Sequence, residues 1–353
     1  MTTLLTPKPD LADDDNAGRI AAERRGTDGA VIAARSLSRS FRNGVEAVRG
    51  LDLTVDPGEV FGFLGPNGAG KTTTVRMLCT LLPPTSGTAT VAGLDVVAQA
   101  AAVRRQIGVA LQEIGLDPVQ TGRELLELQC GLCGITGRRG RARAEELLTL
   151  VGLTDAADRR TKTYSGGMKR RLDLASALVH SPTVLFLDEP TTGLDPASRQ
   201  TIWAEVRRIN AGGATVFVTT QYLEEADQLC DRLAIIDEGR IVAEGTPDQL
   251  KADMGHDVVS ITLAGADAAA TEAAVIGLPG LERVAAESNG LALYVQDGAG
   301  SIVEIVRRLE RDGLQVGAIS VARPSLDDVF LQATGRRLEG KTQTADHQEV
   351  QEA

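Results

Sequence analysis

The sequence predicts an α/β protein with a mostly parallel sheet, followed by a small α+β domain. Between about residues 31 and 250, short apolar runs alternate with segments of helical periodicity, which is typical of parallel strands joined by helices. From about residue 257 to 335, the order becomes strand, helix, strand, strand, helix, strand, as in a ferredoxin-like unit, with Asp267 as the cap of its first helix. We therefore expect two domains in this chain of 353 residues.

The two ends of the chain lack such patterns. Residues 1–30 are polar and acidic, and residues 336–353 are polar and charged, so we expect a disordered tail at each end. The segment from Asp248 to His256 is the predicted junction between the two domains.

Composition and charge disfavour several classes of protein. The chain has 37 Lys and Arg against 48 Asp and Glu, a net charge of −11, which disfavours nucleic acid as the main partner because phosphate binding requires an excess of basic side chains. No apolar run approaches the roughly 20 residues that span a bilayer, the N-terminus does not resemble a signal peptide, and four cysteines are too few for a disulfide framework. These features predict a cytoplasmic protein.

A phosphate-binding loop follows the predicted strand Val60–Leu64. The sequence Gly-Pro-Asn-Gly-Ala-Gly-Lys-Thr matches the pattern G-x-x-x-x-G-K-[ST] and leads into an amphipathic helix. Its glycines let the backbone wrap around phosphates, its lysine would reach the β- and γ-phosphates of ATP, and its first threonine would ligate Mg²⁺. The predicted nucleotide-binding residues here are Gly65, Pro66, Asn67, Gly68, Ala69, Gly70, Lys71, Thr72 and Thr73.

Two acids end a second buried-type strand, Val184–Leu187. Because the carboxyl ends of parallel strands line the crevice where α/β sheets bind ligands, these acids are expected close to the loop. Asp188 is the candidate for holding Mg²⁺ through its water shell. Glu189 is the candidate general base for the attacking water.

A second anion-binding helix start lies upstream of these acids. Ser165 suits a helix N-cap, and the two glycines after it leave the first N–H groups of the helix uncovered. Two such helix starts favour a pair of subunits in which this helix of one covers the γ-phosphate on the loop of the other, although a simple helix cap is the alternative. The candidate residues are Ser165, Gly166, Gly167 and Met168.

Together these motifs resemble an ATP-binding-cassette (ABC) ATPase over residues 31–250. Residues 164–168, 219–226 and 324–330 are similar to the daunorubicin-resistance type of drug-exporter ATPase, a subfamily with an extra C-terminal domain. The resemblance implies a P-loop NTPase fold of ABC type, with a RecA-like core, a helical subdomain and an antiparallel β subdomain.

The resemblance also implies roles for four more residues. Phe41 would stack on adenine, Asp195 would contact the opposite subunit, and Gln112 would sense Mg²⁺ and water. Gln221 stands where most members have the switch histidine that contacts the γ-phosphate; its amide can donate a hydrogen bond but cannot carry charge or shuttle a proton. The predicted catalytic residues are Glu189, Gln221 and Gln112, and the predicted Mg²⁺ residues are Thr72, Gln112 and Asp188.

The expected function is ATP hydrolysis that drives efflux of a drug-like or hydrophobic compound. The chain would act as a homodimer on the inner face of the cell membrane, bound to a separate integral-membrane permease. The resemblance implies that roughly residues 113–134 form the docking surface for this permease. The alternative is a soluble cassette ATPase acting on ribosomes or nucleic acid. A single phosphate loop, and no room for a coiled coil between Lys71 and Asp188, argue against that alternative.

Three smaller expectations concern packing. Trp203 is expected to pack in a helix rather than to bind a ligand, and Cys130 and Cys133 are expected to be helical core thiols. The basic run 169–171 is expected to be a solvated face or to support the nucleotide across the dimer. The apolar stripe of Leu326, Val329 and Phe330 is expected either to pack on its own sheet or to hold the dimer or the membrane partner.

Overall fold

A computed structural model describes residues 29–336, except 114, 255–256, 264–267, 288–289, 315 and 323. Apart from residues 29, 30 and 336, the two predicted tails lie outside the described residues, as does the predicted cap at Asp267. The strands are β1 Ile32–Ser40, β2 Glu46–Val55, β3 Val60–Leu64, β4 Ser86–Val91, β5 Leu94–Asp95, β6 Ile107–Ala110, β7 Val184–Asp188, β8 Thr215–Thr220, β9 Arg232–Asp237, β10 Arg240–Gly245, β11 Asp257–Leu263, β12 Leu281–Glu287, β13 Gly290–Val295 and β14 Val316–Ala322. The helices are α1 Lys71–Leu78, α2 Ala100–Gln106, α3 Gly122–Leu132, α4 Gly137–Leu150, α5 Gly166–Ala177, α6 Pro196–Ala211, α7 Leu223–Leu229, α8 Pro247–Asp253, α9 Ala268–Val275, α10 Gly298–Arg311 and α11 Leu326–Thr334.

The central sheet has six strands in the order β10-β9-β3-β8-β7-β6. Its strands from β9 to β6 are parallel, and β10 pairs antiparallel with β9. Every residue of β3, β7 and β8 is buried, because a parallel sheet is covered on both faces and its strands are therefore mostly apolar. Phe217 packs against Phe61, Phe63 and Phe186 at ring-centroid distances of 5.5 to 5.6 Å. This sheet is the predicted RecA-like core.

The other two predicted parts of this domain are also present. An antiparallel sheet in the order β2-β1-β4-β5 packs against α1. Helices α3 and α4 pack against α5 to form the helical subdomain. Thr121 and Glu124 form a capping box that fixes the start of α3. The prediction of a core, a helical part and an antiparallel part is confirmed.

The C-terminal domain forms an antiparallel sheet in the order β12-β13-β11-β14. Its own core contains Val259, Ile261, Leu293, Ile305 and Leu309, all buried between the sheet and its two helices. The observed order of elements is the predicted βαββαβ.

The predicted junction contains a helix, α8. Thr246 and Gln249 form a capping box at its start, and Leu250 and Met254 are buried. The two domains are therefore joined by a packed helix rather than by a loose linker.

The stripe on α11 is covered by the chain itself. Leu326, Val329 and Phe330 are buried in a cluster that joins both domains. Residues of the cluster from the C-terminal sheet include Ala292 and Tyr294, and those from the first domain include Leu64, Ala226, Leu233 and Ile235. The expectation that α11 packs on its own sheet is therefore correct but incomplete. The three side chains of the stripe are covered within the chain, so they leave little exposed apolar surface for a partner; a role of this helix in holding the dimer or the membrane partner stays a prediction.

Three of the cysteines are buried and one is exposed. Cys79, Cys130 and Cys230 are buried, whereas Cys133 lies exposed at the end of α3. The expectation of two core thiols is therefore wrong for Cys133, because the helix ends there and the residue no longer faces the core.

Candidate nucleotide site

The conformation of the loop between β3 and α1 depends on its glycines. Gly65 N donates to Thr220 O at 3.2 Å, which fixes the start of the loop against β8. Gly70 has φ 106°, and a Cβ there would lie 2.3 Å from Ala47 O. Gly68 has φ 82°, which also favours glycine. The backbone can therefore turn tightly before the first turn of α1 and point its N–H groups outward.

Lys71 lies buried at the centre of the site, with 4% of its side chain exposed. Its Nζ donates to Gly65 O at 2.7 Å and to Pro66 O at 3.1 Å. The same ammonium lies 3.1 Å from Glu189 Oε1. A buried ammonium needs such partners, because an unpaired charge in the interior is very costly.

Asp188 ends β7 beside the loop. Its Oδ1 accepts from Thr219 Oγ1 at 2.5 Å and from Thr72 Oγ1 at 3.3 Å. Its Oδ2 is buried and has no hydrogen-bond partner among the described residues. A buried carboxylate oxygen next to a threonine hydroxyl suits a hard cation such as Mg²⁺, so the residues present fit the predicted ion. Among the described residues, no group of three or more His, Cys, Asp or Glu could hold a metal, and Mg²⁺ usually takes its remaining ligands from water and phosphate.

Glu189 sits in a strained turn just after β7. Its φ is 49°, a left-handed conformation that is uncommon for a residue other than glycine. Its N–H donates to Thr219 O at 3.1 Å and to Thr219 Oγ1 at 3.0 Å, which holds the turn. Its Oε2 accepts from Gln112 Nε2 at 3.4 Å and from Thr192 Oγ1 at 3.3 Å. The turn therefore aims the carboxylate at Lys71 and Gln112.

The central sheet brings these residues together. Lys71, Asp188 and Gln112 lie at or just beyond the carboxyl ends of the parallel strands β3, β7 and β6, which share one edge of the sheet. Gln221 follows β8 directly, and the bond from Gly65 to Thr220 places it next to the loop.

The remaining predicted residues lie apart from this cluster. Ser165 caps α5 by accepting from Met168 N at 3.2 Å, and a Cβ at Gly167 would lie 3.1 Å from Ser198 Oγ. Asp195 caps α6, accepting from Ser198 N at 3.0 Å, and hydrogen bonds from Ser198 lower the pKa of Asp195. Both helix starts thus share one surface.

Phe41 is exposed in the turn between β1 and β2. The Arg39 guanidinium carbon lies 5.0 Å from its ring centroid, which holds the ring by a cation–π contact. The described contacts of Phe41 do not include the loop. However, Ala47 on the returning strand touches Gly70, so the turn lies on the loop side of the sheet.

Comparison with known proteins decides the family. The family model "ABC transporter" matches residues 48–192, and the model "ATP-binding protein DrrA1-3-like, C-terminal domain" matches residues 245–334. The daunorubicin resistance ATP-binding protein DrrA2 of Streptomyces coeruleorubidus is 48% identical over 314 residues, which cover 88% of this chain and 97% of that protein. The chain belongs to the ATP-binding subunits of ABC transporters.

Solved structures of ABC cassettes resemble the chain as well. An ATP-binding subunit of an ABC transporter is 27% identical with a TM-score of 0.58, covering 64% of this chain and 93% of that one. A dimeric ATP-binding cassette in a post-hydrolysis state, bound to ADP and Pi, is 25% identical with a TM-score of 0.56, covering 61% of this chain and 98% of that one. The chain is thus an ATPase of ABC type. In the part of this cassette that the structure describes, each helix is too short or too polar to cross a bilayer.

The position of Arg170 differs from the solvated face that the sequence predicted for residues 169–171. Arg170 is buried in α5, not solvated, and donates to Leu111 O at 2.5 Å, Asp188 O at 3.0 Å and Pro190 O at 3.0 Å. It therefore ties the backbones before Gln112 and around Glu189 to α5. Its position four residues before the buried Leu174 was the available signal, because residues at that spacing share a helix face.

Glu225 is a second residue that the motifs did not reveal. It is fully buried in α7, and its Oε1 accepts from Thr191 Oγ1 and from Trp203 Nε1, each at 2.9 Å. Burial raises the pKa of Glu225. Trp203 is buried as expected, and its indole N–H also binds this carboxylate. The polar context of Glu225 in the sequence gave no sign of its burial.

Proposed function

We propose that this ATPase powers the export of a drug-like or hydrophobic compound through a separate integral-membrane permease. The similarity to DrrA2, which is named for daunorubicin resistance and is matched almost from end to end, supports this direction and substrate class. The matched C-terminal family model, which carries the same name, supports it too. The chain would lie on the cytoplasmic face of the cell membrane through its contact with the permease.

The single observation that carries the proposed chemistry is the cluster of Lys71, Asp188 and Glu189. The loop N–H groups and Lys71 would bind the β- and γ-phosphates of ATP, and the adenine would stack on Phe41. Thr72, Asp188 and Gln112 would hold Mg²⁺, which when bound neutralises charge that develops on the phosphates.

Glu189 is proposed as the general base, with Gln221 as a donor to the γ-phosphate. In the structure Glu189 pairs with Lys71 at 3.1 Å. Phosphate oxygens would compete for that ammonium and leave the carboxylate free to accept a proton from the attacking water. Gln112, already 3.4 Å from Glu189, would orient that water.

Two copies of the chain are proposed to form the complete site. The start of α5, with Ser165 to Met168, and Asp195 form one surface apart from the cluster around Lys71. In a paired arrangement this surface of one subunit would cover the phosphates held by the other. The similarity to a dimeric cassette supports the pairing.

The permease is proposed to dock on residues 113–134. Within this segment Val119, Leu128 and Leu132 are large apolar side chains that remain exposed. Apolar side chains exposed together on one part of a surface are typical of protein–protein contacts.

Copurification and transport together test the proposal. The tagged full chain, expressed in its own host, should copurify from detergent-solubilised membranes with a membrane-spanning protein. Inverted vesicles carrying the pair should accumulate daunorubicin in the presence of ATP, and vesicles carrying Lys71→Ala should not. Copurification with ribosomes or nucleic acid, without a membrane protein, would contradict the proposal.

A further inference from the structure

The helix that follows Gln221 depends on its neighbours for its position. α7 has only seven residues, and its N-cap residue, Tyr222, makes no side-chain capping bond. A helix this short is not stable alone in water, because nucleation costs more than so few hydrogen bonds return. The contacts on either side of α7 therefore determine where the helix lies. Gln221 lies between the end of β8 and the cap of α7, so β8 fixes one side of this residue and the position of α7 fixes the other.

One side of α7 is held by the segment that follows Glu189 and by α6. Glu225 accepts from Thr191, two residues beyond Glu189, and from Trp203 of α6. The Arg199 guanidinium carbon, also from α6, lies 4.4 Å from the ring centroid of Tyr222. The polar side of α7 is therefore bonded to the segment that carries the proposed base.

The other side of α7 is fixed by the C-terminal domain. Ala226 is buried and Leu223 partly buried in the apolar cluster that contains Phe330 and Val329 of α11. The same cluster includes Leu64, the residue immediately before the phosphate loop. Helix α11 contacts α7 directly, and its Phe330 is among the largest fully buried side chains of the protein.

The end of α11 is also tied to the first domain. Arg336 pairs with Asp237, the last residue of β9. A partly exposed ion pair of this kind adds little free energy, but it orients the end of α11 over the sheet that carries the loop.

We propose that α11 is a brace that positions α7, and through it Gln221, so that Phe330 is a positioning residue for ATP hydrolysis. This inference rests on the proposed role of Gln221 at the γ-phosphate. The C-terminal domain would thereby support turnover without contacting the nucleotide. ATP binding, which depends on Lys71 and the loop, would be largely independent of the brace.

The test compares two truncations of fully buried apolar side chains within the same domain. Phe330→Ala removes the brace contact, whereas Leu309→Ala opens a cavity in the separate core of the C-terminal domain. Both are made in the full chain, and kcat and KM for ATP are measured together with hydrogen exchange of residues 223–229. We expect Phe330→Ala to lower kcat about tenfold or more, since small misplacements of positioning groups have such effects. KM should change less than about twofold on the same reasoning. Exchange protection of α7 should fall as well.

Leu309→Ala should leave kcat and α7 protection near the wild-type values, and Phe330→Leu should restore most of the kcat lost in Phe330→Ala. Equal kcat losses in Phe330→Ala and Leu309→Ala, or unchanged α7 protection in Phe330→Ala, would overturn the proposal. Should Phe330→Ala fail to fold, the milder Val329→Ala serves in its place with the same outcomes. Gln221→Ala is measured in parallel: full turnover in that variant refutes the role of Gln221, whereas α7 protection in the Phe330 variant still tests the brace.

Discussion

The Lys71–Glu189 pair joins two side chains with separate proposed tasks, binding phosphate and accepting a proton. Both are almost fully buried, so each depends on the other for charge compensation. Replacing Lys71 therefore tests phosphate binding, and replacing Glu189 tests proton transfer.

Glu189→Gln should keep ATP binding and lower turnover about 10²- to 10⁴-fold, because the amide retains the shape of the side chain but cannot accept the proton. Lys71 keeps its bonds to Gly65 O and Pro66 O in this variant. ATP binding measured at equilibrium and steady-state hydrolysis give the two quantities. The ATP-bound dimer should persist on size-exclusion chromatography. Near-normal hydrolysis by the variant would place the general base elsewhere.

Gln221→Ala should lower turnover about 10²- to 10³-fold, taking a lost oxyanion donor as the guide. Gln221→His should be tolerated, because an imidazole N–H can donate the same hydrogen bond. Both variants are measured with the membrane partner present. Full activity of the alanine variant would show that the glutamine amide has no part in hydrolysis.

At the scale of elements, helix α5 carries a partly buried acid, Asp173, whose protonation affects stability. Burial raises the pKa of Asp173 from 3.8 to about 6, although Arg170, 3.2 Å away, acts in the opposite sense. Because this pKa is higher in the folded chain, the folded chain binds the proton more tightly. The stabilisation is therefore fully present below about pH 4 and is lost as the pH rises through about 6.

Asp173→Asn should remove that dependence. The free energy of unfolding of the wild type, relative to the variant, should fall by on the order of 2 kcal/mol between pH 4 and pH 7, at about 1.4 kcal/mol per pKa unit. Urea unfolding at both pH values measures the difference, and any constant offset from the altered Arg170 contact cancels. A difference that does not vary with pH would show that Asp173 has an ordinary pKa.

Elements also show what the sequence could and could not predict. Strands β3 and β7 and the loop between β3 and α1 were predictable because fully buried strands are continuously apolar and the loop pattern is chemically restrictive. Helix α8 was missed because seven residues give too little periodicity to distinguish a helix from a linker. The proximity of Asp188 to the loop was predictable because the carboxyl ends of parallel strands share one edge of the sheet, but its direct bond with Thr72 depends on strand order, which no local pattern contains. The burial of Arg170 and Glu225 was not predicted because charged side chains are usually exposed.

At the scale of the whole molecule, the apolar cluster around α11 joins the two domains into one stability unit. Its members come from the central sheet, from the C-terminal sheet, and from α8 and α11. Removing the C-terminal domain would therefore expose apolar surface on the first domain, at Leu64, Leu233 and Ile235 among others.

A chain that ends after Met254 should still bind ATP but should unfold at a lower temperature, by at least several degrees, because each kcal/mol lost lowers the Tm of a domain of this size by about 2–4 °C. It should also aggregate more readily. Calorimetry and light scattering of the shortened chain, with the full chain as control, measure both effects. An unchanged Tm would mean that the cluster contributes little to the first domain.

The cysteines differ in burial, so their rates of alkylation report on the packing around them. Cys133 is exposed and should react at once with an alkylating reagent, whereas burial raises the pKa of the Cys79 and Cys230 thiols and keeps them protonated. Cys230 directly follows α7, so its alkylation counts the transient openings of that region. The labelling rate of Cys230, separated from those of the buried Cys79 and Cys130 by peptide mass spectrometry, would then measure how often α7 leaves its packed position.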